Sequence, residues 1–232
     1  MKLTIIIPCF NERATITKVL NNILKIKGIK NKQIIVVDDG SQDGSIKSIP
    51  KIIKHKISKV IIHKRNLGKG AAIKSAVPFI KGDAVIIQDA DLEYSPKDYL
   101  KLLKFYSKNN PVVYGSRVLG KKRYGLISFT STYRIFFNHL LTILTNYICS
   151  QQLTDAHTCY KLFNSKVFKK LNLRESGFGF CPEVTAKISK LNLKIYEVPI
   201  SYKGRSYKQG KKIGVSDGLR AIFCILRYTL FK

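Results

Sequence analysis

Apolar and polar positions alternate in blocks along the first half of the chain. Residues 3–10 (LTIIIPCF), 33–41 (QIIVVDDGS), 59–64 (KVIIHK), 83–91 (DAVIIQDAD) and 112–117 (VVYGSR) are short apolar runs ending in polar residues. Unbroken runs of this length mark strands buried on both faces. Between them lie segments of helical period. In 12–26, Ile16, Val19, Leu20, Ile23 and Leu24 share one face. Segments 43–56 (interrupted by Pro50), 68–80 and 95–109 also read as helices, the last with Ser95 as N-cap and Pro96 as first helical residue. Strand and helix in turn predict an α/β fold, a mostly parallel sheet with helices on both faces. Ligands of such sheets bind beyond the carboxyl ends of the strands.

The second half is less regular. Residues 131–150 have helical spacing but are interrupted by Arg134, Asn138 and His139, 194–207 look strand-like, and 216–232 form a basic amphipathic helix. There is no internal repeat and no low-complexity linker, so a single domain over 1–232 is expected.

Charge adds a class of partner. Forty-two Lys and Arg against fourteen Asp and Glu give a net charge of +28 over 232 residues. Such a balance attracts polyanions: nucleic acid, anionic headgroups or phosphorylated substrates. Lysine-rich drift accounts for the total as well as function does, so the placement of single cations carries the argument. Five cysteines without C-x-x-C spacing argue against a disulfide framework or a zinc site and for a reducing compartment. Neither a signal peptide nor a spanning segment of about 18 apolar residues is expected.

The strand ends carry the chemistry. Asp89 and Asp91, two apart after VIIQ, fall on one side of the chain. Paired carboxylates repel unless a cation lies between them, and Mg²⁺ or Mn²⁺ shared with substrate phosphates meets that need. Glu93 continues the spacing. Asp38 and Asp39 end another strand, and Asp39 is the candidate acceptor for a base or ribose donor, with Ser41, Gly44 and Ser45 building turn and cap. Residues 66–72 (NLGKGAA) are a glycine-flanked entry to a helix, matching neither nucleotide-binding glycine fingerprint. Arg117 ends a strand, and Arg205, Lys211 and Lys212 lie in a basic loop able to hold phosphate.

Taken in order, IIIPCFNE, VVDDGSQDGS, NLGKGAA, QDADLEYSP, YGSR, DAHTCYKLF and RSYKQGKKI resemble family-2 glycosyltransferases, in particular the dolichyl-phosphate mannose synthase-like branch. The resemblance implies a glycosyltransferase A-type fold, with a nucleotide-sugar and metal half over 1–120 and an acceptor half with interfacial helices over 121–232. It implies that Pro8, Phe10, Glu12, Val37, Asp39 and Ala90 line the nucleotide site, that Asp89, Asp91 and Glu93 hold the metal, and that Arg117 faces the phosphates. Arg205 with Lys211 or Lys212 would belong to a late loop closing over the site. The implied reaction moves a sugar, mannose from GDP-mannose first, to a polyprenyl phosphate at the cytoplasmic membrane face. The enzyme would be peripheral on an anionic membrane surface, reached through 135–149 and 218–231, with a membrane-protein partner as a further expectation.

An acceptor phosphate is anionic already and needs no strong base. A saccharide acceptor would need one, and Asp155 or Glu183 would supply it. No histidine stands in any strand-end motif. A nucleotidylyltransferase would want a glycine-rich basic loop where CFNERAT stands, and acidic strand ends argue against binding nucleic acid.

Overall fold

The computed structural model describes the backbone of residues 1–124, 127–128, 132–205 and 215–230, and the side chains of these except 122–135 and 215–217. In chain order the elements are β1 (Lys2–Cys9), α1 (Ile16–Leu24), β2 (Asn31–Asp38), α2 (Lys51–Lys54), β3 (Lys59–Ile62), α3 (Lys69–Ala76), β4 (Ala84–Ile87), α4 (Tyr99–Phe105), β5 (Val112–Ser116), α5 (Arg117–Tyr124), β6 (Ile127–Ser128), α6 (Thr132–Cys149), β7 (Lys161–Asn164), α7 (Ser165–Lys170), α8 (Phe180–Lys190), β8 (Tyr196–Pro199), β9 (Tyr202–Lys203) and α9 (Val215–Leu230).

The apolar runs form a seven-stranded sheet of order β3-β2-β1-β4-β7-β5-β8, parallel except for β7. The expected mostly parallel α/β fold is present. All four residues of β4 and all five of β5 are buried, as unbroken apolar strands in mid-sheet must be. β6 and β9 pair separately. Helix α1 buries Ile16, Val19, Leu20 and Ile23, with Leu24 at the margin.

Three local expectations are corrected. Residues 43–49 are turns, and helix begins only after Pro50, whose ring opens α2 but cannot sit inside a continuous helix. Ser95 stands at the N-cap position with Pro96 next, but its side chain makes no capping bond. The strand end at Arg117 runs straight into α5.

The register sets the site. Cys9 lies beside Asp38, and Ile6 beside Ile87. The loops after β1, β2 and β4 therefore leave the sheet along one edge. Chain order runs outward from β1 to β3 and returns to β4 on the other side of β1. This is the topological switch point where such sheets bind ligands.

Candidate active site

The loop after β2 is fastened to the loop after β1. Ser41 Oγ accepts from Asn11 N, Asn11 Oδ1 from Gln42 N, Ser45 Oγ from Glu12 N, and Asp43 Oδ2 from Arg13 N, all at 2.9 Å. Ser41 and Ser45 thus seat Asn11 and Glu12 rather than only shaping their own turn. Asn11 (φ 54°) on the loop after β1 and Leu92 (φ 63°) on the loop after β4 hold left-handed backbone, a strain that collects where the surroundings fix a functional geometry.

Asp39 is buried, and its carboxylate is occupied from within. Oδ1 takes His63 Nδ1 at 2.7 Å and Leu67 N at 2.9 Å, and Oδ2 takes Gly68 N at 2.8 Å. Of about four lone-pair sites on a carboxylate, three are used, one by His63 and two by Leu67 and Gly68. His63 sits at the end of β3 and also meets Ser75 Oγ at 2.9 Å, so a histidine does stand at a strand end, contrary to expectation. Gly68, at φ 97°, has no room for a Cβ, which would lie 2.5 Å from Ser176 O. The glycines of NLGKGAA thus serve close packing.

The carboxylates after β4 separate. Asp89 pairs with Lys69, whose ammonium also reaches Cys159 Sγ at 3.3 Å. Asp91 Oδ1 accepts from Glu93 N at 3.1 Å and Oδ2 from Arg205 Nη2 at 3.0 Å. Glu93 accepts Tyr202 OH at 2.7 Å and Arg205 N at 2.8 Å. Arg205 is further gripped by Glu12, Nη2 to Oε1 at 2.9 Å and Nη1 to Oε2 at 3.2 Å. Burial, with the charges of Asp89 and Glu93, pushes the Asp91 carboxyl up to about 7, against the pull of Arg205. Among the described residues no three acidic, histidine or cysteine side chains converge as a metal shell. The side chains of the expected trio turn instead to Lys69 and Arg205. The donor set nevertheless fits a hard divalent cation: Glu12, Asp91 and Glu93 share a single guanidinium, and carboxylate oxygens are the donors such an ion takes. A hollow of about 820 Å³ opens there, lined by Glu12, Arg13, Asp91, Lys203 and Arg205 among others. That volume lies within the range of small-ligand sites.

Arg117 does not line this hollow. It is buried and forked onto Asp155, Nε to Oδ2 at 2.7 Å and Nη2 to Oδ1 at 2.8 Å, while its own N–H adds a bond to Oδ2 at 3.0 Å. Burial pushes the Asp155 carboxyl up, but the Arg117 charge and hydrogen bonds outweigh it and hold it below its usual value. Glu183 is fully buried too, accepting Arg174 N at 2.6 Å, Glu175 N at 2.9 Å and Lys187 Nζ at 2.6 Å. Val37 and Ala90 enter the hydrophobic core, so what they bring to the sheet edge is main chain. Pro8 lies opposite Val37 and, like Phe10, is partly exposed. Lys211 and Lys212 lie outside the described residues, as does the Arg134 side chain.

Two helices present a separate surface. On α6, Phe136, Leu140, Ile143 and Tyr147 recur at i, i+4, i+7 and i+11, and on α9 Leu219, Phe223, Leu226 and Leu230 repeat that spacing; all eight are exposed. Their opposite faces carry buried Leu141, Thr145 and Cys149, and Ala221, Cys224, Ile225 and Tyr228. Segment 135–149 therefore both packs on the protein and offers an apolar stripe. Arg220 and Arg227 border the α9 stripe beside a hollow of about 530 Å³. No helix among the described residues is long and apolar enough to cross a membrane.

Comparison with known proteins supplies the class of chemistry. The chain is 26% identical to a dolichyl-phosphate beta-glucosyltransferase of Trichomonas vaginalis over 99% of its own length and 73% of that protein. It is 26% identical to a UDP-N-acetylglucosamine–dolichyl-phosphate N-acetylglucosaminyltransferase of Methanococcus voltae over 98% of this chain and 96% of that one. In structure it is similar to glucosyl-3-phosphoglycerate synthase of Mycobacterium tuberculosis, solved with Mn²⁺, UDP and glucosyl-3-phosphoglycerate, with a TM-score of 0.72 at 16% identity over 100% of this chain and 81% of that one. The model of glycosyl transferase family 2 matches residues 4–172. This protein is a member of glycosyl transferase family 2.

Proposed function

We propose that the protein transfers a sugar from a nucleotide-sugar to a polyprenyl phosphate at a membrane surface. The observation that carries the acceptor is the state of the two carboxylates that would serve a saccharide hydroxyl. Asp155 is forked onto Arg117 and Glu183 is taken by two backbone N–H groups and Lys187. Neither is free to take a proton from a sugar hydroxyl, which has a high pKa and requires a positioned base. A phosphate nucleophile is already ionised and needs only orientation and screening.

In this reading an acceptor phosphate oxygen attacks the anomeric carbon as the bond to the nucleoside diphosphate breaks, inverting the centre. Asp91 with Asp89 or Glu93 would hold Mg²⁺ or Mn²⁺, which neutralises the diphosphate as it leaves. Arg205, held by Glu12 and Asp91, would give N–H donors to phosphate oxygens once the donor displaces part of that grip. The sheet edge between β1 and β4 orients the donor, with the main chain of Val37 and Ala90 and the Asp39-held loop around it.

The relatives named for glucose and N-acetylglucosamine favour a UDP-linked donor over GDP-mannose. The paired apolar stripes of α6 and α9, bordered by arginines, support peripheral docking on an anionic membrane surface at the cytoplasmic face. The deciding experiment offers UDP-glucose, UDP-N-acetylglucosamine and GDP-mannose with Mn²⁺ to the purified protein, together with a polyprenyl phosphate, the free polyprenol or a simple saccharide. Sugar should appear on the polyprenyl phosphate alone. A better yield on the alcohol or the saccharide overturns the acceptor assignment.

A further inference from the structure

The acidic hollow is unevenly neutralised. Asp89 pairs with Lys69, whose ammonium touches no other carboxylate among the described residues. Glu12, Asp91 and Glu93 share the guanidinium of Arg205, with Nη2 at 2.9 Å from Glu12 and 3.0 Å from Asp91 and Nε at 3.8 Å from Glu93. One guanidinium is shared by three carboxylates, whose oxygens are the hard donors a divalent cation takes, while Arg13 and Lys203 also line the hollow. Asp91 uses Oδ1 to accept the Glu93 N–H, and Oδ2 is the oxygen Arg205 holds. The bidentate grip on Glu12 and the backbone bond from Arg205 N to Glu93 do not involve Asp91. The guanidinium is thus able to release Asp91 while remaining anchored.

We propose that Arg205 competes with a divalent cation for Asp91 Oδ2, the two cations holding the hollow in turn. A divalent ion bound at Asp91 would stand a few ångströms from the guanidinium, and like charges at that range repel strongly in a partly buried site. Metal entry would therefore free one N–H of Nη2 while its bond to Glu12 persists, leaving a donor suited to a phosphate oxygen of a bound diphosphate. That last step rests on the proposed donor chemistry; the competition itself does not.

The sign of one measurement separates this role from a supporting one. Mn²⁺ affinity is measured by electron paramagnetic resonance on the full chain, without nucleotide or lipid, for the wild type, Arg205→Gln and Arg205→Lys. Competition predicts that Arg205→Gln binds Mn²⁺ roughly tenfold more tightly than wild type, with Arg205→Lys between them, and that Asp91→Asn removes binding. If Arg205 instead shapes the carboxylates, its loss weakens binding. A weaker or equal affinity in Arg205→Gln, including no detectable binding in either protein, overturns the proposal, as does unchanged binding in Asp91→Asn. A second measurement uses the wild type alone, in case the variant does not fold. The Arg205 side-chain N–H resonances should shift on titration with Mg²⁺, and their invariance at saturation also overturns it. Failure here leaves the sugar-transfer assay standing, since neither sugar nor acceptor takes part.

Discussion

The guanidinium of Arg117 and the carboxylate of Asp155 lie side by side in the protein interior, joined by two parallel hydrogen bonds of 2.7 and 2.8 Å. Thr154 N and Asp155 N donate in turn to Glu197, at 2.6 and 2.9 Å, fixing the segment that presents Asp155. Breaking a buried pair by removing one partner leaves an uncompensated charge and typically costs about 3–5 kcal/mol. Arg117→Ala should lose stability on that scale in urea unfolding. Arg117→Lys should lose much of it too, because an ammonium cannot reproduce the fork. A loss of activity with unchanged stability would return Arg117 to the phosphates.

The same pair predicts a pH dependence. The folded-state pKa of Asp155 lies below its unfolded value, so the pair stabilises fully above the unfolded value, about 3.9 for Asp. That stabilisation disappears as pH falls through the lower, folded value. The stability gap between wild type and Asp155→Asn should therefore be constant near neutrality and shrink below about pH 4. A gap that persists in acid would show that charge is not what the pair contributes.

Asp91→Ala should abolish transfer while leaving the thermal unfolding midpoint within a few degrees of wild type. Burial and two neighbouring carboxylates already disfavour its charge, so its removal relieves repulsion as it removes the proposed metal ligand. EDTA should mimic the variant, and Mg²⁺ or Mn²⁺ should restore the native enzyme only. Full activity in the purified variant rules out the metal assignment.

Flotation with anionic liposomes should capture the protein at low salt. Phe223→Ser combined with Leu219→Ser should reduce capture several-fold without lowering the melting temperature, because both side chains are more than half exposed (52% and 67%). Equal capture by the double variant would leave charge as the sole attraction.

Gly68→Ala should destabilise the fold by more than a typical surface change, about 1 kcal/mol or above. The backbone there is left-handed, and the added methyl meets the carbonyl of Ser176, which cannot swing aside as a side chain would. Unchanged urea midpoints would mean that the 174–177 loop yields easily.

The strands and the polar strand ends were legible because each is a local pattern. A buried parallel strand announces itself as an apolar run, and QDAD and DDGS follow such runs directly. Partnership was not legible. Asp155 is 38 residues from Arg117, and Glu12 is 193 from Arg205. Nothing at Arg117 distinguishes an arginine aimed at a ligand from one locked to a buried acid. The carboxylate of Asp39 likewise reads as a ligand contact until Leu67, Gly68 and His63 are seen around it. KLF within DAHTCYKLF is too short to reveal an antiparallel strand, and α5, rich in Lys and Arg, lacks an apolar stripe. His63 was visible within KVIIHK, and its position immediately after a strand was the available signal.

The place of β5 has a consequence for synthesis. Both of its neighbours, β7 at Lys161–Asn164 and β8 at Tyr196–Pro199, come later in the chain than β5 itself. On the ribosome, β1, β2, β3 and β4 are able to pair as they emerge, whereas Val112–Ser116 must wait, apolar and unpaired, until some fifty further residues follow. β4 waits for the same strand, because β7 alone joins it to β5. A ribosome pausing between residues 116 and 161 would leave the outer edge of β4 and both edges of β5 bare at once, so translation speed through α5 and α6 should bear on how much of the protein escapes aggregation.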